Sequence, residues 1–108
     1  MTAATVTYGF SATMTAQPGR GDELMKLVLS GLDAGNPASS ELCLVYLVSR
    51  SASDSDVIHL IEGWTNEEDH HRLFAGEAAQ KLVARFADVL GADSVYGDLI
   101  PAGGKAGF

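Results

Sequence analysis

Cysteine is almost absent from this chain of 108 residues: Cys43 stands alone, so no intrachain disulfide can close and no second thiolate is there to share a metal. Its neighbours Leu42 and Leu44 mark the thiol as a buried small hydrophobe. Basic residues are scarce as well. Seven Lys and Arg are set against fourteen Asp and Glu, a net charge of −7, and the seven are scattered. Binding to a phosphate backbone needs clustered cations, so the composition argues against nucleic acid as a partner. No apolar run approaches the roughly 18 residues of a membrane span, which argues against a membrane partner. Met1-Thr2-Ala3-Ala4-Thr5 carries no basic residue and leads directly into a strand-like pattern; neither a secretory signal nor a transit peptide is expected, and the cytoplasm is the expected compartment.

What remains has the make-up of one globular domain over residues 1–108, with an ordered core of about 5–101 and a Gly-rich tail from Gly103 to Phe108. Val6, Tyr8, Phe10, Ala12, Met14 and Ala16 alternate with polar or small residues, which is the period of a strand. Gln17-Pro18-Gly19-Arg20-Gly21 breaks that pattern as a turn; its glycine spacing fits no nucleotide-binding loop. Leu24, Leu27, Val28, Gly31 and Leu32 then recur at helical spacing, with Asp22 and Glu23 suited to the positive end of the helix. Ala34 to Glu41 reads as a loop. The runs Leu42–Val48 and Val57–Trp64, joined by a polar turn, read as a hairpin. Thr65 followed by Glu68 has capping-box spacing, so a helix is expected from near Asn66 to Gly76. A further helical stretch carries Ala79, Leu82, Val83, Phe86 and Leu90, and Ser94–Ile100 forms the last strand. The order β, α, β, β, α (broken at Gly76), β is that of an α+β ferredoxin-like fold with a four-stranded antiparallel sheet.

The middle strands present apolar side chains on both faces. Leu42, Leu44, Tyr46 and Val48 are expected on one face, with Cys43, Val45 and Leu47 on the other. The helices of this topology cover only one side, and a water-exposed face alternates with polar residues. A second copy is the simplest cover for the other, so a homodimer is expected.

The string Ile61-Glu62-Gly63-Trp64-Thr65-Asn66-Glu67-Glu68-Asp69-His70-His71-Arg72-Leu73-Phe74 resembles the hallmark of the antibiotic biosynthesis monooxygenase family: a strand, Glu-x-Trp, then an acidic helix start that carries His. The first strand, the turn at Pro18-Gly19 and the helix after it are similar to the start of that family's domain, so the likeness spans nearly the whole chain. The resemblance implies a dimeric α+β barrel with a pocket between sheet and helices in each subunit. It also implies oxidation of quinol-like or polycyclic phenolic substrates by molecular oxygen with no metal or flavin. The chain departs from the family at Leu73, where many members place a His. Relatives that degrade haem use a Trp there and an axial His ten residues later, and Leu73 and Val83 can supply neither function.

Within that frame the candidate catalytic residues are Trp64, to orient a flat aromatic, and His70, as a base for a phenolic proton. His70 and His71 point about 100° apart on a helix, so at most one faces a site. They also lack the i, i+4 spacing with which a helical pair holds a metal; no metal and no cofactor are expected. Tyr8, Phe10, Tyr46, Glu62 and Phe74 are candidates to line a pocket for a small aromatic substrate. His59, on the opposite strand face from Trp64, is expected at the dimer interface. A ligand-binding dimer without turnover and an isomerase of a small oxygenated metabolite remain open alternatives.

Overall fold

The computed structural model describes residues 5–105. The expectations for Met1–Ala4 and for the end of the tail, 106–108, lie outside the described residues. Strand β1 (Tyr8–Thr15) is followed by helix α1 (Gly21–Leu29), strands β2 (Cys43–Arg50) and β3 (Val57–Trp64), helices α2 (Glu67–Phe74) and α3 (Glu77–Val89), and strand β4 (Val95–Leu99). All pairings are antiparallel and the sheet order is β2-β3-β1-β4. This is the α+β ferredoxin-like fold that the element order predicted.

Alternation in β1 sends Ala12 and Met14 to one face, where they meet Ile58 and Leu60 of β3. Leu24, Leu27 and Val28 of α1 and Val89 of α3 close this core from above. Leu24, Val28, Ile58 and Trp64 are its largest fully buried side chains, each worth about 1.5–3 kcal/mol relative to exposure. Among the described residues, no helix lies on the opposite face of the sheet. Val45, Leu47, Val57, Ile61, Val95 and Leu99 lie there, flanking a polar stripe of Ser11, Thr13 and His59. Ile61 is 40% exposed and Val95 69%. His59 lies on that face as expected, with Nδ1 3.2 Å from the Thr13 hydroxyl.

Three local expectations are corrected. The register between Cys43 and Val45 is interrupted by a bulge, so strict alternation fails at the start of β2: Cys43 pairs with Trp64, Tyr46 with Glu62, and Leu44 is left exposed. Cys43 is half-buried rather than sealed. Ala34–Glu41 is not wholly irregular, because Pro37–Ser39 forms a single 3₁₀ turn with Pro37 and Ala38 buried.

Asp56, in the turn before β3, anchors the start of α1. Its carboxylate accepts the backbone N–H of Gly19 and of Gly21, both at 3.0 Å, doing from across the chain what an adjacent N-cap residue does. The approach is close enough that a Cβ at Gly21 would strike the Ser55 carbonyl.

Candidate functional site

Residues opposed in an antiparallel pair share a face. Phe10, Glu62 and Tyr46 therefore form one row across the helix-covered side of the sheet, with Tyr8 and Trp64 forming the next. Helix α2 lies over these rows. Its cap is Asn66, not Thr65: Asn66 has the extended backbone that an N-cap requires, and its side-chain oxygen accepts the Asp69 N–H at 2.8 Å. Thr65 instead donates to the Asp69 carboxylate at 3.2 Å. On α2, His70 turns inward and is 6% exposed. His71 turns out to solvent, where its Nε2 lies 3.2 Å from Glu67.

The His70 imidazole is packed by five rings, with centroids at 4.7 Å for Phe74, 5.1 Å for Tyr8, and 5.3 Å for Phe10, Trp64 and the neighbouring His71. Both its nitrogens are buried without a hydrogen-bond partner among the described residues. Buried polar groups are nearly always bonded, so two orphans on one ring call for a specific cause. The Glu62 Oε1 is 3.9 Å from His70 Nε2, beyond hydrogen-bond reach.

Glu62 is itself 2% exposed and accepts the Trp64 indole N–H at 2.8 Å. Burial raises its pKa from 4.5 to about 7, against the lowering effect of that hydrogen bond. Burial likewise pushes His70 down from 6.5 to about 4, helped by the neighbouring His71. Near neutral pH the site therefore holds a neutral imidazole beside a carboxyl group poised between its two forms.

These two groups stand at the polar end of a cavity of about 430 Å³, within the range of small-molecule sites. Its floor is Phe10, Met14, Tyr46 and Leu60 of the sheet, and Leu82 and Phe86 of α3 cover it. Pro37 and Ala38 wall it on one side. Tyr96 of β4, 61% exposed, stacks on Phe10 with centroids 5.6 Å apart and also borders the space. The Tyr46 hydroxyl is spent on the Val28 carbonyl at 2.6 Å and does not serve the cavity.

Of the sequence candidates, Phe10, Tyr46, Glu62, His70 and Phe74 converge on this space. Two do not border it. Trp64 is 0% exposed behind Glu62, which it holds by its indole N–H. Tyr8 packs against His70 but donates its hydroxyl to Asp98 at 2.7 Å; burial foremost, then that carboxylate, raises its pKa.

The model of the family described as "antibiotic biosynthesis monooxygenase" matches residues 7–85. The chain belongs to this family. Among solved structures, a protein of Chloroflexus aurantiacus J-10-fl that bears the family's name is 27% identical, with a TM-score of 0.77, covering 92% of this chain and 96% of its own. One of Caulobacter crescentus CB15, named for the same family, is 18% identical with a TM-score of 0.75, covering 93% of each chain. A conserved protein of Methanosarcina mazei Go1 shares the fold at 14% identity and a TM-score of 0.77, covering 92% and 96%. No match was found among curated proteins.

In this antibiotic biosynthesis monooxygenase domain, several wall residues escaped the sequence reading. Met14 and Leu60 carried a signal, since they share strand parity with Phe10 and Glu62. Tyr96 stands opposite Ala12 and could have been placed once β4 was paired with β1. Pro37 and Ala38 carried none, because nothing local says which way a turn will pack. Among the described residues, no three His, Cys, Asp or Glu side chains converge where a metal ion could be held, and no helix is long and apolar enough to cross a membrane.

Proposed function

We propose that the protein is a cofactor-independent monooxygenase that oxidises a quinol-like or polycyclic phenolic aromatic with molecular oxygen, acting as a cytoplasmic homodimer. The observation that supports this reading is the apolar cavity with Glu62 and neutral, unpartnered His70 at one end. Family membership supports the reaction class.

A flat ring system packs against Phe10, Phe74 and Phe86, and the phenolic oxygen is directed to the polar end. Glu62, with its pKa raised to about 7, takes the phenolic proton directly from the hydroxyl, and the neutral His70 imidazole donates a hydrogen bond to the oxygen left behind. Removing that proton raises the electron density of the ring, which then reduces oxygen directly. In an anthrone-type substrate one oxygen atom enters the ring CH₂ as a carbonyl and the other leaves with its two hydrogens as water; in a quinol one oxygen atom enters an aromatic C–H as a hydroxyl while the ring is oxidised to the quinone and the other oxygen atom leaves as water. The substrate supplies all the electrons, so no reductant is consumed. Trp64 acts from behind as a positioning residue for Glu62.

The outer face of the sheet supports the dimer, since Ile61, Leu99 and Val95 stay exposed with no helix to cover them. Oxygen uptake over a panel of hydroquinones and anthrones tests the activity. Turnover above background that is lost in His70→Ala and Glu62→Gln is the expected result; no turnover with any member of the panel sinks the reading and leaves a ligand-binding protein.

A further inference from the structure

We propose that the cavity selects an uncharged ligand bearing one hydroxyl at its buried end, with that oxygen seated between His70 and Glu62, and that it refuses carboxylates and phosphates of the same shape. This deepens the reading of the cavity as a substrate site and rests on it.

The first argument is the orphaned imidazole. Both ring nitrogens of His70 are buried without a partner among the described residues, and the packing of Phe74, Tyr8, Phe10 and Trp64 around the ring leaves it little freedom to turn toward solvent. A partner must come to His70. The second is the gap. His70 Nε2 and Glu62 Oε1 are 3.9 Å apart, so an oxygen about 2.8 Å from each would sit roughly 2 Å off the line between them. A hydroxyl there donates to one group and accepts from the other, which a methyl or a bare ring edge cannot do.

The third argument is charge. Among the described residues, no Lys or Arg borders the cavity. The charged and titratable groups that face its polar end are Asp98 from β4, Glu67 and His71 from α2, Tyr8 from β1, and Tyr46 and Cys43 from β2. None is a fixed cation. An anionic head group would be stripped of water beside carboxylates with nothing to pair it.

The test is a titration of the intact, isotopically labelled protein, followed by NMR at about pH 6, with 2-naphthol, naphthalene, 2-naphthoate and 2-naphthyl phosphate. A hydrogen bond made at a buried, otherwise unpaired site predicts naphthol binding about tenfold or more tighter than naphthalene. The two anions are expected about a hundredfold or more weaker than naphthol. His70→Phe, which conserves the aromatic packing, is expected to retain naphthalene binding and erase the advantage of naphthol. Should that variant fail to fold, the His70 ring nitrogen resonances of the native protein answer the same question, shifting with naphthol and not with naphthalene. Naphthoate bound as tightly as naphthol, equal binding of naphthol and naphthalene, an advantage that survives in His70→Phe, or no binding of any probe at millimolar concentration overturns the proposal. No turnover is read, so a failed oxygen assay beside the expected binding pattern removes the monooxygenase reading alone.

Discussion

The two faces of the sheet are inverted with respect to what each would hold in an isolated, stable molecule. The inner face buries a carboxyl group and an imidazole, Glu62 and His70, that would be cheaper in water. The outer face leaves Ile61, Leu99 and Val95 in water, where they would be better covered. Each anomaly indicates something the single chain lacks. The imidazole without a partner among the described residues is the basis of the proposed ligand, and the uncovered apolar groups that of the proposed second copy.

Four measurements would break or sharpen this contrast. The largest effect is expected at the join between core and site: Trp64→Ala empties a fully buried position and takes away the partner of Glu62, costing about 3–5 kcal/mol in denaturant unfolding. A loss below about 1 kcal/mol would show that the indole supports neither. On the outer face, Ile61→Lys places a charge where the second copy is proposed to sit. The dimer dissociation constant should rise at least about a hundredfold, about 3 kcal/mol, with the monomer's circular dichroism unchanged. Sedimentation that shows the native chain as a monomer at micromolar concentration would remove this half of the comparison.

The inner face is tested by pH. Glu62 binds its proton more tightly folded than unfolded, so its stabilising contribution is complete below pH 4.5 and is lost as pH rises through about 7, a loss of about 3 kcal/mol. His70 has the opposite sign: its neutral form is the folded form, so stability holds above pH 6.5 and falls as pH drops toward about 4. The groups facing the pair, Trp64, Tyr46, Cys43, Tyr8, Asp98, Glu67 and His71, are unchanged in the variants. Glu62→Gln should flatten the alkaline limb of the stability profile, and His70→Phe the acid limb. Limbs unaltered in both would mean that neither group is as buried as it is here. The smallest effect, about 1–2 kcal/mol, is expected for Asp56→Ala, which removes the remote cap of α1 and touches neither anomaly. Its stability loss should leave ligand affinity and oligomeric state intact.

Much of this was readable from particular residues. Alternation in β1 and β3 put Phe10, Glu62 and Trp64 on one face and His59 on the other. Helical geometry separated His70 from His71, although it could not say which of them enters the protein. That choice was made by the docking of α2 on the sheet, which places His70 among Tyr8, Phe10, Trp64 and Phe74. The bulge after Cys43 shifted the start of β2, because a strand's register depends on what lies across from it. Asp56 is adjacent to nothing it caps in sequence, and Trp64 looked like a cavity wall because an aromatic at a strand end serves equally well as wall or as core.

The amino-acid order by itself determined the period of each segment and hence the element order, the fold class and the family likeness, since these rest on local alternation and turn chemistry. Only the tertiary structure decided that Trp64 stands behind Glu62, that His70 is left without a partner, and that Pro37 and Ala38 wall the cavity. Those outcomes depend on distances between segments far apart in the chain, and it is burial, a property of the assembled molecule, that keeps the imidazole neutral and leaves the carboxyl poised between its two forms near neutral pH.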